Sequence, residues 1–537
     1  MPSKPSRELA LDALRGLALL LMVASGLMPW AADQSLPAWM YHAQEPPPSH
    51  QFNPNLPGLT WVDLVFPLFL FALGAAIPLA YARRLDRPVL PIISENGSEK
   101  GSGEELERAS TPEVLPLARR RFTLPLALQS GVLLHTLQRG VLLVWFALYR
   151  NYLTPDKLQP GPGRRAWTLG LLAFLLLFPM FTRLPNRWNA AARTLVRLIG
   201  FGGGAALFFS LYHNTGRHFS LGDSDIILMV LANMAVFGGL IWLCTRQNPR
   251  ARWAIMALLV ASRLASGPPG WVHTLYHASK LPFPPYWTFD WFFQLDFQKY
   301  LLIVLPGTLV GDMLLVWRDE MGQEQRDQPP PKVGQAEAGQ EASKQESSPK
   351  NRWRLAALIG VCLPLILLIG LEARWLLPTT IIAWALCVCA VRLTASPVEP
   401  MERLLHCLIR QGSFWIVLGL MLEPFQGGIK KDSATLSYLF LTPGIACFLL
   451  GSFLVVGAIP RLRRFLMLLA DVGQNPMIGY VGMDNFLLPL FGLIGLNTPL
   501  ALWFTTPWSI ALRATLETLL LAYFVRLCSR CKLYWRT

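Results

Sequence analysis

The sequence predicts an all-α fold, a polytopic transmembrane helical bundle of about 10–14 spans with both termini in the cytoplasm. Three observations predict it. Of the 537 residues, 53% are hydrophobic and only 15% charged, and the mean hydropathy is +0.38. A soluble chain carries about a quarter charged residues, so lipid is the solvent this composition suits. Apolar runs of about 20 residues recur along the chain, the length at which a helix crosses roughly 30 Å of hydrocarbon. Lys and Arg gather in the short segments between those runs, as in cytoplasmic loops that face anionic headgroups. This placement accounts for the net charge of +15 without a nucleic-acid surface, for which no basic helix or interleaved aromatic stripe is present.

The apolar runs begin near Leu11, Trp61, Gly131, Ala166, Leu195, Ile226, Ala251, Tyr300, Ala356, Leu376, Phe414, Leu439, Phe465 and Trp508. The first is read as a span, because no small-residue cleavage site follows it. Lys4, Arg7 and Arg15 lie at its start, and no further Lys or Arg occurs before Arg83. Residues 28–60 are therefore placed outside. Arg83, Arg84 and Arg87, then Arg119, Arg120 and Arg121, place the next linker inside. Alternation puts Arg246, Arg250 and Arg252 inside, then Arg461, Arg463 and Arg464, and finally Arg526, Arg530, Lys532 and Arg536. One segment runs against the rule: Arg150, Lys157, Arg164 and Arg165 fall in a loop assigned outside.

The chain divides into 1–93, two spans joined by the outer loop 28–60; a cytoplasmic linker, 94–121; a membrane bundle, 122–318; a second cytoplasmic linker, 319–352; and a second bundle, 353–537. Both linkers are rich in Glu, Gln, Ser, Lys, Gly and Pro and bury too little to fold. None of the eight cysteines lies in the outer loop, so no disulfide framework is expected. The Cys528/Cys531 pair has no second pair or histidine cluster beside it, and no metal site is predicted.

Chemistry concentrates on the outer face. His42, His50, His213, His218, His273 and His277 all fall there, and imidazole is the side chain suited to proton transfer near neutral pH, although it also sits comfortably at membrane interfaces. The loop 28–60 holds seven prolines and two of these histidines, and proline restricts the chain before it folds. Asp63 opens the second span. A carboxylate there either caps the helix or faces a polar partner, and a loop histidine is the natural one. Carboxylate against imidazole fixes the tautomer and raises basicity. Asn475 in GQNPMIGY either donates to developing charge or starts a helix at Asn-Pro. Asp12 and Arg15 lie one turn apart at the inner end of the first span, where they pair or meet an anionic ligand.

LDALRGLALLLMV, a His-Ala pair in an outer loop, GLTWVDLVFPLFLFALG and GQNPMIGYVG together resemble the heparan-alpha-glucosaminide N-acetyltransferase family and its bacterial relatives. The match covers roughly residues 1–85 and a stretch around 470–485. The resemblance implies a membrane enzyme that takes acetyl from cytosolic acetyl-CoA and delivers it to an amino sugar across the membrane. The family's essential histidine, in a His-Ala context before GLT, falls on His42. Here the insert QEPPPSHQFNPNLP follows the His-Ala pair, which leaves His50 as a second candidate. An Asn that the family carries near the outer end of its first span is replaced around Ser25.

The expected function is thus an acyltransferase of the cytoplasmic (inner) membrane, with acyl-CoA as donor and an extracytoplasmic sugar or glycan as acceptor. His42, Asp63, His50 and Asn475 are the catalytic candidates. Asp12, Arg15, Arg119, Arg120 and Arg121 are the candidates for holding the anionic co-substrate. The alternative is a transporter or flippase of a lipid-linked glycan, and a third reading is a scaffold in an envelope-synthesis complex. The oligomeric state, including a homodimer, is left open.

Overall fold

The computed structural model describes residues 6–31, 35–85, 126–185, 187–215, 222–267, 270–277, 291–327 and 351–536. Its main helices in chain order are α1 (Ser6–Gly26), α2 (Trp61–Leu85), α3 (Leu126–Leu153), α4 (Arg164–Phe181), α5 (Ala190–Thr215), α6 (Ile226–Thr245), α7 (Arg250–Leu264), α8 (Leu301–Asp327), α9 (Asn351–Glu372), α10 (Leu376–Leu393), α11 (Pro400–Met421), α12 (Leu436–Gly457), α13 (Pro460–Gly473), α14 (Pro476–Gly482) and α15 (Pro507–Arg530). No strand is found among the described residues. Among the described residues, eleven helices are long and apolar enough to cross a membrane, or twelve counting one bent pair. The predicted all-α, multi-pass architecture and its range of spans stand.

Burial separates a central group from a lipid-facing rim. The apolar windows of α2, α8 and α12 are 72%, 72% and 83% buried, against 22% for α5 and α10. Lipid tails are as apolar as leucine, so close backbone approach supplies much of the association between such helices. At the α2–α8 crossing, Gly74 lies against the Val304 carbonyl and Gly307 against that of Phe71, with no room for a Cβ on either. On the rim, Leu195, Leu198 and Ile199 of α5 and Leu377 and Ile381 of α10 project outward, an apolar surface that matches the bilayer interior.

The two termini share one face. Gly473 at the end of α13 packs on the Asp12 backbone of α1, and the Trp535 N–H donates to Asn475 Oδ1 at 3.2 Å. At the other face, Ala511 and Ala514 at the start of α15 pack in a cluster with Met28, Leu36 and Tyr41 of the loop. Helix α15 thus runs from the loop face to the terminal face. Short α7 also traverses: Arg252 near its start pairs with Asp312 within α8, while Arg263 near its end pairs with Asp296 ahead of α8.

Several sequence expectations change. The span expected from Phe465 is two pieces, because Pro476 has no N–H to continue the helix and Asn475 sits at the break. Its first piece, α13, buries Leu466, Leu469 and Ala470 against α1. The linker placed at 319–352 begins as helix, since α8 continues to Asp327, and α9 already starts at Asn351. Residues 94–121 lie outside the described residues. The basic segment at Arg150–Arg165 is less positive than its composition indicates: Arg150 pairs with Asp225 at 2.9 Å and Asp484 at 2.7 Å.

Candidate functional site

The site grows from the start of α2. Thr60 ends the loop, and Asp63, three residues on, reaches back to it: Asp63 Oδ2 accepts from the Thr60 N–H at 2.9 Å and from Thr60 Oγ1 at 3.1 Å. This reach-back satisfies an N–H that the helix start leaves without a partner. The same oxygen accepts from the Ala43 N–H at 3.3 Å, which ties the middle of the loop to the helix. Thr60 Oγ1 also lies 2.7 Å from the Tyr41 carbonyl, and Tyr438 of α12 donates to the Asp63 carbonyl at 2.9 Å. Asp63 is wholly buried, so its conformation is fixed from several sides.

With Oδ2 engaged, Oδ1 faces His42. It lies 3.1 Å from His42 Nδ1 but makes no hydrogen bond. The Gln44 N–H also points at Nδ1, at 3.2 Å. The two neighbours demand opposite tautomers. The full charge of the carboxylate at 3.1 Å attracts an N–H more strongly than the neutral Gln44 N–H attracts a lone pair. We therefore assign the proton to Nδ1. The other nitrogen agrees: Lys431 Nζ sits 2.6 Å from His42 Nε2, a donor that requires a lone pair there. Asp432 Oδ2 approaches Nε2 at 3.3 Å.

His42 is 9% exposed. Burial, and then the Lys431 ammonium, push its pKa from 6.5 down to about 4, with Asp432 pulling the other way. The gain in basicity expected from the carboxylate is overturned by this burial: the imidazole is neutral at pH 7 and a weaker base than a free one. It opens on a cavity of about 150 Å³ lined by Ser25, Gly26, Trp30, Met40, Tyr41, Glu45 and Val62. Burial, and next the negative charge of Asp432, raise the pKa of Glu45 above its ordinary value.

The loop 28–60 is held in place from across the bundle. Gly58 N–H donates to the Ile429 carbonyl at 2.9 Å, and Gln44 Nε2 donates to the Leu56 carbonyl at 2.9 Å. Gly58 lies against the Glu372 carboxylate, where a side chain would collide.

Of the predicted site residues, the structure joins His42 and Asp63. His50 stands apart from the carboxylate. Its Nε2 meets Ser35 Oγ at 3.2 Å, and its ring packs edge-on against Tyr41 and Trp30, so it braces the loop. Asn475 is separated from the imidazole by the depth of the bundle. It is buried at the terminal face, where Nδ2 donates to Ser529 Oγ at 2.7 Å and Oδ1 accepts from Trp535, an anchor for the C-terminal segment. Asn475→Ala is expected to cost about 1–3 kcal/mol of stability, since it orphans buried partners, while leaving the environment of His42 unchanged. A thermal melt in detergent, paired with chemical modification of His42, checks both halves.

Asp12 and Arg15 pair with each other at 3.2 Å, and Arg15 also donates to the Ala72 carbonyl at 3.2 Å. Mutual pairing, the plainer of the two sequence readings, is what the structure contains. Arg119, Arg120, Arg121 and His218 lie outside the described residues. His273 Nδ1 meets the Ser266 carbonyl at 2.9 Å, away from Asp63. Sequence reasoning missed Lys431 and Asp432, which come 389 positions after His42 in the first case. The trace they left was a Lys-Lys-Asp run between two apolar runs.

A family model described as "Domain of unknown function (DUF5009)" matches residues 7–93 and 112–314, more than half of the chain. The match includes His42 and Asp63 and ends before Lys431. No curated protein matches the sequence.

Proposed function

The chain belongs to the DUF5009 family, whose description assigns no activity, and on the site alone we propose that it is a transmembrane acyltransferase that moves an acyl group onto an amine of an extracytoplasmic sugar or glycan. One observation carries the reading: a neutral imidazole, backed by a buried carboxylate, opens on a cavity at the face opposite both termini. The motifs LDALRG, GLTWVDLVFPLFLFALG and GQNPMIGY favour the same chemistry by resemblance. The charge rule makes the terminal face cytoplasmic and the His42 face extracytoplasmic.

Acyl-CoA, when bound, supplies an activated thioester. The cavity has room for an acyl end only, since whole ligands of that size fill several hundred Å³. Arg15 and Arg526 at the terminal face are engaged in ion pairs, while Arg461, Arg463 and Arg464 of the same face would be the groups to hold the donor's phosphates.

The acceptor side follows from the chain's own groups. An ammonium is no nucleophile until it loses a proton, and His42 Nε2 is the base placed to take it. Asp63 holds the Nδ1–H and compensates the positive ring that results. The decisive experiment incubates membranes containing the protein with labelled acetyl-CoA and glucosamine. Label on the amine, dependent on His42, is the expected result; glycan movement without label would point to a transporter.

A pH expectation follows from the position of His42. Its base form persists to well below neutrality, so transfer should hold level from pH 7 to about 5 and fall as pH approaches about 4. Stability moves in the same direction. The folded-state pKa lies below the unfolded value, so the unfolded chain binds more protons between about pH 6.5 and 4, and the contribution of His42 is lost as pH falls through that window. Initial rates and melting midpoints across pH 4–8 test the pair.

A further inference from the structure

We infer that Lys431 and Asp432 mark the subsite for the acceptor's ammonium: the Lys431 side chain occupies that place when no acceptor is bound, and Asp432 is the carboxylate that receives the acceptor. The inference rests on the acyltransferase reading for its meaning, but its geometry stands independently. The Lys431 ammonium donates to His42 Nε2 at 2.6 Å, with the Asp432 carboxylate 3.3 Å from the same nitrogen. A primary ammonium pointed at a base, with a carboxylate alongside, is the arrangement in which an acceptor amine would give up its proton.

The surrounding charge supports a second cation. Asp63 and Asp432 flank a neutral imidazole, and Lys431 is the ammonium that touches it. Nearby Lys299 and Arg263 are both bound to Asp296, at 2.6 and 3.0 Å. Arg374 is bound to Glu423 at 2.8 Å. A further positive group that reaches Asp432 would meet a carboxylate ion-paired to no Lys or Arg among the described residues. Access is available, because the Asp432 side chain is about a third exposed. Lys431 hangs from a loop between α11 and α12 whose flanking residues Gln426 and Ala434 adopt positive φ, so it is delivered by a shaped turn.

The test uses the full-length protein in detergent at pH 7.5 and reads no acyl transfer, so it stands whether or not the acyltransferase reading does. The first measurement is the rate at which diethyl pyrocarbonate modifies His42, followed by mass spectrometry of the peptide. Lys431→Met should raise that rate several-fold by uncovering Nε2, and Lys431→Arg should keep it near the wild-type value. The second is the melting shift produced by glucosamine against that produced by neutral N-acetylglucosamine. Glucosamine should stabilise the wild type, stabilise Lys431→Met more, and lose its effect in Asp432→Asn. Equal modification rates in wild type and Lys431→Met, or equal shifts from the two sugars, would overturn the inference. Asp432→Asn leaves every contact of Asp63 in place, so a folded variant is expected for that arm.

Discussion

Asp63→Asn is expected to leave the loop folded and to reduce acyl transfer by about ten-thousandfold, as when a catalytic imidazole is held in the wrong tautomer. The reason lies in how the two carboxylate oxygens are used. Oδ2 accepts three hydrogen bonds from Thr60 and Ala43, and an asparagine carbonyl can take all of them over. Its NH2 must then occupy the Oδ1 position facing His42 Nδ1. An amide donor there turns Nδ1 into an acceptor and moves the ring proton to Nε2, where a lone pair is needed. Equal expression and an unchanged melt, with transfer of labelled acetyl lost, is the expected pattern. Near-normal transfer by this variant would show that the carboxylate is only a helix cap.

His42→Ala removes the base itself, and general-base catalysis of this kind is worth about 10²–10⁴ in rate. The variant also leaves a small void beside a buried carboxylate whose Oδ1 then has no neighbour, so some loss of stability accompanies the loss of activity. His42→Gln separates the two effects, since its amide can still donate toward Asp63 but cannot carry a proton through the cycle. Both variants should be inactive, with the glutamine form the more stable in a thermal melt. Transfer that survives in both would exclude the imidazole from the reaction.

The legible part of this molecule was the part governed by local rules. Hydropathy alone placed the spans, because lipid demands about 20 apolar residues wherever a helix crosses. The His42–Asp63 pair was foreseeable because one loop joins them and because Asp63 opens an apolar helix. Long-range packing was not legible. Nothing in GQNPMIGY shows that Asn475 is consumed by Ser529 and Trp535, residues that return to it from the end of the chain. The apolar run beginning near Phe414 is only the later part of α11, whose first turns carry Glu402, Arg403, His406 and Arg410. Those turns are helical from Pro400, with Glu399 and Glu402 capping them. Lys431 belongs to the same class of omission, a loop cation whose meaning appears only beside a residue hundreds of positions earlier.

That separation has a thermodynamic consequence. Each helix acquires its own backbone hydrogen bonds on entering the bilayer, but the ammonium reaches the imidazole only once α11, α12 and the loop ahead of α2 have come together, as the Gly58–Ile429 bond records. An incompletely assembled chain, however helical, would hold His42 in water with ordinary basicity. The acidity of a single ring is therefore a gauge of whether the entire bundle has closed.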